Sequence, residues 1–210
     1  MTPHLLLIHG WGFDPAFWEP LQAALGDDLP STAWDLGFRG APSRPALPDG
    51  VPVVAVGHSF GLLWLLKERP ISWTRLVSIN GFSRFAKADD LPSGVAPRLI
   101  ERMLIKLDDD PKAVYQDFME RCGLAEPLAD TVDPDALAWG LRALAEWDCR
   151  AGADVDLALA GRRDPILPVA LTEALFPQPL ACWHDGGHLL PLTDPEWCAQ
   201  QIRTVVESVK

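Results

Sequence analysis

The fold of this chain is decided by the stretch VVAVGHSFGLLWLL, residues 53–66, in which a serine interrupts an aliphatic run and has a glycine two places to either side. The apolar run Val51–Val56 predicts a buried strand, and Phe60–Glu68 predicts a helix. Gly57-His58-Ser59-Phe60-Gly61 is then the turn between them, in the pattern G-x-S-x-G. So abrupt a turn strains its central residue, and the flanking glycines remove Cβ atoms that would collide there. We therefore expect the Ser59 hydroxyl to stand out of the sheet, beside the free N–H groups that begin the helix.

Length and composition favour one compact domain, since 48% of the 210 residues are apolar and 22% are charged. The net charge of −11 argues against a nucleic acid partner, because phosphate binding depends on Lys and Arg. The LLLI run near the start is too short to span a membrane and lacks the basic flank of a signal peptide. The four cysteines are widely spaced, without a metal-ligand or disulfide pattern: Cys122, Cys149, Cys182 and Cys198. We therefore expect four buried free thiols in a cytoplasmic protein with no metal and no membrane partner.

Short aliphatic runs alternate with helical patterns along the chain, which indicates parallel βα units. The predicted strands are His4–Ile8, Ser31–Asp35, Val51–Val56, Arg75–Ile79, Val155–Ala160 and Leu180–His184. The helices predicted beside them are Ala16–Leu25, Phe60–Glu68, Pro168–Leu175 and Pro195–Val209. The Pro-rich stretch 41–52 is typical of a surface connection. The pattern predicts a mostly parallel sheet flanked by helices.

Residues 82–150 interrupt this alternation with helical patterns and no convincing strand. The predicted helices are Val95–Leu107, Pro111–Arg121 and Pro134–Trp147, with Asp133 as the N-cap of the last one. Ligands of open parallel sheets bind outside the carboxyl ends of the strands. We therefore expect a single domain, 1–210, in which a helical cap at about 82–150 follows the strand ending near Asn80 and roofs the site.

A serine hydroxyl becomes a good nucleophile only when a base takes its proton and an acid orients that base. The strand ending near Ala160 runs into GRRDPILP, which supplies Asp164 past the carboxyl end of the strand. The strand ending near His184 runs into DGGHLLP, which supplies His188 in the same relation. The order Ser, Asp, His is the one that this kind of elbow uses. Ser59, Asp164 and His188 are thus the predicted catalytic residues.

Other interpretations of these residues stay open. Asp164 could simply cap the loop before the next helix. The rivals for the acid and the base are Asp185, Asp194 and His184.

Four motifs occur in a fixed order: HGWG at 9–12, GHSFG at 57–61, GRRDPILP at 161–168 and GGHLLPLTDPEWC at 186–198. Together they resemble the α/β-hydrolase fold over nearly the whole chain. Within that fold, three further segments are similar to the pimeloyl-[acyl-carrier protein] methyl ester esterases of biotin synthesis: LLIHGWGFDPAFW at 6–18, DFMERCG at 117–123 and LRALAEWDCR at 141–150. The chain departs from these esterases at His58, where they often have an aromatic residue, and at Leu62, where a second glycine often follows the elbow.

The resemblance implies a serine carboxylesterase that forms an acyl-enzyme on Ser59 and requires no cofactor. It implies an oxyanion hole made by the backbone N–H groups of Trp11 and Phe60. It also implies a set of substrate contacts: Trp11, Phe60, Phe118, Met119 and Cys122. Trp11 could alternatively be an ordinary core residue. Four apolar residues of the cap suggest a small or medium acyl chain: Phe82, Phe85, Phe118 and Trp139.

Three cations of the first cap helix, Arg98, Arg102 and Lys106, recur at a spacing of four and share one helical face. One interpretation is a solvated face with Glu101 and Asp108 nearby. The other, which the family resemblance favours, is transient docking of an acidic acyl carrier protein. We call these three residues the cationic stripe.

The function predicted best is hydrolysis of the methyl ester of pimeloyl-[acyl-carrier protein], by a monomer that acts on a small-molecule or carrier-linked ester. The alternatives are a general carboxylesterase or thioesterase, a cofactor-free perhydrolase or lyase with the same three residues, and a non-catalytic ligand-binding member of the fold.

Overall fold

The computed structural model describes residues 2–124 and 131–209. Its centre is a six-stranded parallel sheet in the order β2-β1-β3-β4-β5-β6. The strands are β1 His4–Ile8, β2 Ser31–Trp34, β3 Val53–His58, β4 Arg75–Ile79, β5 Leu157–Gly161 and β6 Ala181–His184. The sheet is thus parallel throughout, as the alternation of strands and helices predicts.

The helices are α1 Glu19–Leu25, α2 Phe60–Glu68, α3 Pro97–Asp109, α4 Pro111–Cys122, α5 Pro134–Glu146, α6 Val169–Leu175, α7 Leu190–Thr193 and α8 Pro195–Glu207. The four residues of α7 were not predicted. The predicted helix Ala16–Leu25 is divided into a 3-10 turn, Pro15–Trp18, and α1. The division falls where Pro20 starts a new helix, because proline lacks an N–H and fits the first turn.

Strand β3 begins two residues later than predicted and extends through the first two residues of the elbow. Pro52 has no N–H to give to a neighbouring strand, so ladder pairing starts at Val53. The carbonyl of Pro52 still accepts a hydrogen bond from the His4 N–H at 2.9 Å. The sheet therefore delivers His58 and Ser59 directly at its carboxyl edge.

Three helices, α3 to α5, lie between β4 and β5 in sequence, and α3 packs against both of the others. Each begins with proline in its first turn. Asp133 accepts a hydrogen bond from the Ala136 N–H at 3.0 Å, which confirms it as the N-cap of α5. At the base of this segment Arg84 pairs with Asp148 both through an isolated β-bridge and through an ion pair, which joins its two ends.

Strand β1 is buried along its whole length, and α2 is buried from Phe60 to Leu66. Burial of one large aliphatic side chain stabilises a fold by about 1.5–3 kcal/mol. The segment that carries the elbow is therefore also a principal part of the core. No helix in 2–124 or 131–209 is long and apolar enough to cross a membrane.

All four cysteines are unpaired. Cys122 and Cys198 are buried, but Cys149 and Cys182 are partly exposed, so the prediction of four buried thiols is wrong for these two. Cys182 lies on β6, the last strand of the sheet, where one side has no neighbouring strand to cover it.

Candidate active site

Ser59 stands at the turn between β3 and α2 with φ 51° and ψ −121°, a strained conformation for a residue with a side chain. A Cβ atom on Gly61 would lie 2.2 Å from the carbonyl oxygen of Ile8, and one on Gly57 would lie 2.6 Å from the backbone of Leu62. No real Cβ tolerates such distances. Both glycines of the pattern are thus required by close packing of the turn against β1 and α2.

Ser59, His188 and Asp164 form a continuous series of hydrogen bonds at the carboxyl edge of the sheet. His188 Nε2 lies 3.0 Å from Ser59 Oγ, and His188 Nδ1 lies 2.7 Å from Asp164 Oδ2. The side chains of His188 and Asp164 are 0% and 2% exposed. A carboxylate can only accept, so Nδ1 carries the proton of the neutral ring and Nε2 is free to take a proton from the serine. The structure therefore brings together the three residues that the motifs single out.

The Asp164 carboxylate is held by several donors. Its Oδ1 accepts hydrogen bonds from the backbone N–H groups of Ile166 at 2.8 Å and Leu167 at 2.9 Å. Burial alone would raise the pKa of Asp164, but the His188 charge and the hydrogen bonds from His188, Leu167 and Ile166 hold this pKa below its ordinary value. Asp164 is therefore a stable anion that can orient an imidazole.

The rival residues have other partners. His184 Nδ1 accepts a hydrogen bond from the Gly186 N–H at 3.0 Å, and its Nε2 lies 3.7 Å from Asp194 Oδ1. Asp185 is exposed to solvent.

The HGWG loop lies directly against the nucleophile. A Cβ atom on Gly10 would lie 3.1 Å from Ser59 Cβ and 2.8 Å from His58 Nδ1. Within the described residues, the backbone N–H groups of Trp11 and Phe60 donate no hydrogen bond. His9 holds the loop, since its Nδ1 donates to the Gly10 carbonyl at 2.9 Å and its Nε2 accepts from the Leu36 N–H at 3.1 Å. Two unpaired donors thus flank Ser59, one on the HGWG loop and one at the first residue of α2.

Two buried side chains next to the site were given no role by sequence reasoning. The Asn80 amide donates to Asp164 Oδ2 at 2.6 Å and to the Gly187 carbonyl at 2.9 Å. His58 Nε2 donates to the His188 carbonyl at 2.9 Å. Burial, followed by the charge of His188, lowers the pKa of His58 well below its ordinary value, so this ring stays neutral. Both residues end parallel strands at the edge that carries the site, and this position is the only signal that could have indicated them.

An apolar cavity of about 70 Å³ reaches Ser59. Its lining includes the predicted residues Trp11, Phe60, Phe82, Phe85 and Phe118, together with Leu141, Leu144 and Ile166. The Trp11 indole N–H donates to the Leu137 carbonyl at 2.9 Å, which joins the HGWG loop to α5. The cavity therefore lies between the sheet edge and the helices inserted after β4.

Two predicted substrate contacts, Met119 and Cys122, are absent from the cavity lining, and so is Trp139, one of the apolar cap residues that suggested the length of the acyl chain. Met119 and Cys122 share the inner face of α4, where Met119 Cε lies 2.9 Å from the position that a Cβ on Gly12 would take. Phe118 and Arg121 share the neighbouring face and reach the cavity instead.

Trp139 packs in an aromatic cluster away from the cavity. Its ring centroid lies 5.4 Å from that of Phe60 and 6.0 Å from that of Trp147. It supports the cavity wall at Phe60 and has no part in the lining.

The cavity continues outward into a groove of about 230 Å³ between α3 and α4. Leu99, Met103, Phe118 and Arg121 line both spaces. Of the cationic stripe, Arg102 and Lys106 line the groove, whereas Arg98 is exposed beyond it. These three cations make no ion pair with any residue of the part of the chain that the structure describes. The described residues also contain no group of three or more His, Cys, Asp or Glu that could hold a metal ion.

The sequence is similar to that of proteins from one family, although no protein-family model matches the chain. The pimeloyl-[acyl-carrier protein] methyl ester esterase of Aromatoleum aromaticum is 31% identical over 97% of this chain and 98% of its own length. The enzyme of the same name from Legionella pneumophila strain Paris is 29% identical over 82% of each chain.

Solved structures agree on the fold. An esterase from Exiguobacterium antarcticum superposes with a TM-score of 0.81 and 17% identity, over 99% of this chain and 93% of that one. BioG from Haemophilus influenzae superposes with a TM-score of 0.70 and 18% identity, over 94% of each chain. The chain therefore has the α/β-hydrolase fold, is a carboxylic ester hydrolase, and belongs to the family of pimeloyl-[acyl-carrier protein] methyl ester esterases.

Proposed function

We propose that this enzyme hydrolyses the methyl ester of pimeloyl-[acyl-carrier protein] through an acyl-enzyme on Ser59. The observation that carries the proposal is the hydrogen-bonded series Ser59, His188 and Asp164 at the base of an apolar cavity that opens into a cationic groove. The relatives that carry this name cover most of the chain, which supports the choice of substrate.

Each polar group of the site has a defined role in the reaction. Ser59 Oγ attacks the ester carbonyl carbon while His188 Nε2 takes the hydroxyl proton. The negative oxygen of the tetrahedral intermediate accepts hydrogen bonds from the N–H groups of Trp11 and Phe60. The C–O bond to the alcohol breaks, and His188 gives its proton to the departing methanol. His188 then takes a proton from a water molecule, which attacks the carbonyl carbon of the acyl-enzyme. The C–O bond to Ser59 breaks, His188 returns the proton to Ser59 Oγ, and the acid is released.

Two features supply most of the expected rate enhancement. Loss of a single oxyanion donor costs on the order of 3 kcal/mol of transition-state stabilisation in related chemistry. Asp164 stays ionised, so it stabilises the imidazolium that forms when Ser59 loses its proton. Both features stabilise charges that develop in the transition state and are absent from the bound substrate. Such interactions raise kcat.

The groove suits an acyl chain delivered on an acidic carrier. In the lining of the groove the three cations Arg102, Lys106 and Arg121 outnumber the single acid Asp117, and the apolar walls include Leu99 and Phe118. The chain as a whole has a net charge of −11. A local positive patch would therefore steer a negatively charged carrier to this part of the surface. We include the cationic stripe in this docking surface, although Arg98 does not line the groove itself.

We further propose that the enzyme acts as a monomer in the cytoplasm. Its four unpaired cysteines are suited to a reducing compartment.

The test is hydrolysis of carrier-linked pimelate methyl ester and of dimethyl pimelate, beside p-nitrophenyl esters of rising chain length. Wild type is compared with Ser59→Ala and with Ser78→Ala, a buried serine on β4 whose hydroxyl has no hydrogen-bond partner in the described chain. We expect wild type and Ser78→Ala to cleave the pimelate ester. Ser59→Ala should lose activity by roughly 100,000-fold or more.

Three outcomes would contradict parts of the proposal. Cleavage of short p-nitrophenyl esters alone would overturn the pimelate substrate and leave the esterase. Products other than acid and methanol would indicate perhydrolase or lyase chemistry. Pimelate hydrolysis that persists in Ser59→Ala would overturn the assigned nucleophile.

A further inference from the structure

Asn80 is the only asparagine in the chain, and it directly follows strand β4. It is 1% exposed and has φ 46°, in the left-handed region that Asn tolerates better than most residues. Because a buried amide in this backbone conformation lowers the stability of the fold, the contacts of its side chain indicate its role.

The amide nitrogen of Asn80 bridges the two loops that supply the acid and the base. It donates to Asp164 Oδ2 at 2.6 Å and to the Gly187 carbonyl, one residue before His188, at 2.9 Å. Both neighbours can only accept, so the NH₂ group and not the amide oxygen must face them. The amide oxygen has no partner in the described chain. The side chain is thus committed to two donations into the site.

We propose that Asn80 is a positioning residue for the ester hydrolysis, which fixes the Asp164 carboxylate and the His188 loop relative to each other. The inference rests on the function proposed above. Asn80 acts through Asp164 and His188 and makes no contact with the reacting atoms.

The His188 loop needs such support because it begins with two glycines, which have no side chains to anchor it. A Cβ atom on Gly161 would lie 2.4 Å from the Gly187 carbonyl oxygen, so the loop also passes very close to the end of β5. A hydrogen bond to that same carbonyl from Asn80 fixes the loop from the side of β4. The position of His188 is therefore set from two neighbouring strands.

The Asn80 donation also changes the charge that His188 experiences. Asp164 Oδ2 accepts from Asn80 and from His188 Nδ1 at once, so Asn80 withdraws part of the negative charge from the oxygen that faces the imidazole. Removal of this donor returns that negative charge to the oxygen beside His188, whereas the neutral His58 ring, whose centroid lies 4.9 Å from that of His188, is unchanged. The acid limb of the pH profile of kcat/KM would then move to higher pH.

Two variants of Asn80 test the proposal. Asn80→Gly fits the left-handed backbone and removes both donations. Asn80→Asp keeps the shape of the side chain but replaces the NH₂ group, which makes both donations, with a carboxyl group that has at most one proton to donate. For both we expect kcat on p-nitrophenyl esters to fall by about 10- to 100-fold with KM nearly unchanged, as for a small displacement of a catalytic group. In Asn80→Gly the acid limb of kcat/KM should also move to higher pH.

Ser78→Ala is the matched control, because it removes a buried polar group from the same strand without touching the site. It should keep the wild-type kcat and acid limb. A wild-type kcat in either Asn80 variant would overturn the proposal. So would an unmoved acid limb in Asn80→Gly, because a loss of folded protein alone lowers the rate at every pH by the same factor. These results are distinct from failure of the proposed function, which Ser59→Ala reports independently.

Discussion

The carboxyl edge of the sheet and the mouth of the groove use polar side chains in opposite ways. At the sheet edge the side chains of Ser59, His188, Asp164 and Asn80 are buried and joined by hydrogen bonds of 2.6–3.0 Å. At the groove Arg102 and Lys106 are exposed and make no ion pair within the described residues. The buried hydrogen bonds hold the catalytic atoms at fixed distances, whereas the exposed cations create a positive electrostatic potential in the surrounding solvent.

The energetic consequences differ accordingly. Removing one member of a buried hydrogen-bonded set leaves its partner unpaired, at a cost of about 1–3 kcal/mol, whereas an exposed ion pair contributes roughly 0–1 kcal/mol. Changes at the sheet edge should therefore affect chemistry on every ester. Changes at the groove should affect only a substrate with a charged carrier.

After loss of the Ser59 nucleophile itself, the largest effect should come from Asp164→Asn. Without the carboxylate His188 loses the group that selects its tautomer, and kcat should fall by roughly 10,000-fold while the fold remains. The measurement is steady-state hydrolysis of a p-nitrophenyl ester together with circular dichroism. Asp185→Asn removes an exposed carboxylate from the neighbouring loop and should leave kcat at the wild-type value. Equal rates for the two variants would remove Asp164 from the catalytic set.

A smaller loss should follow from Gly10→Ala. Its Cβ would lie 2.8 Å from His58 Nδ1 and 3.1 Å from Ser59 Cβ, so the HGWG loop must move away from the nucleophile. We expect kcat to fall by about 10- to 100-fold on all esters. Gly40→Ala is the control, since a Cβ at Gly40 meets no heavy atom of residues 2–124 or 131–209 within 4 Å. If Gly10→Ala is as active as Gly40→Ala, the loop tolerates the added atom and its close approach has no role in catalysis.

A still smaller effect, restricted to one substrate, should follow from charge reversal in the groove. Arg102→Glu combined with Lys106→Glu should lower kcat/KM for carrier-linked pimelate methyl ester by about tenfold at low salt. Added salt should reduce the difference. The rate on dimethyl pimelate should not change. Lys87→Glu combined with Lys112→Glu changes the net charge by the same amount at two exposed cations outside the groove, and is the matched control. An equal loss on both substrates would contradict a docking role.

The smallest effect concerns stability at low pH. The pKa of Asp164 is lower in the folded protein than its ordinary value near 3.8, so its charge stabilises the fold above that value. This contribution is lost as the pH falls through the folded pKa. In urea unfolding, the difference in unfolding free energy between wild type and Asp164→Asn should therefore narrow from about pH 6 to about pH 3. A constant difference would mean that the carboxylate charge adds nothing to stability.

Much of the sheet edge could be predicted because its constraints are local in sequence. The bounds of β1, β4 and α2 agree with the predictions residue by residue. Ser59, Asp164 and His188 each follow a predicted strand, and carboxyl ends of parallel strands meet at one edge. The glycine pattern of the elbow has a direct steric reason at Gly57 and Gly61.

The lining of the cavity was harder to predict, since it depends on the rotation of a helix about its axis. Met119 and Phe118 are adjacent in sequence, yet only Phe118 reaches the cavity. A rotation of α4 by one residue, about 100°, exchanges their places. Asn80 was missed for a different reason: it belongs to no motif, and its partners Asp164 and Gly187 are 84 and 107 residues away.

The insertion of three helices between β4 and β5 also affects how activity arises during synthesis. The nucleophile and the HGWG loop belong to the first 80 residues, whereas the base follows Ser59 by 129 positions. At a translation rate of about 5–20 residues per second, that interval lasts roughly 6–26 seconds. Throughout it, Ser59 is an ordinary alcohol on a growing polypeptide, because β6 has not yet delivered the imidazole. The nascent chain therefore cannot form an acyl-enzyme on Ser59 until His188 has been synthesised and β6 has joined the sheet.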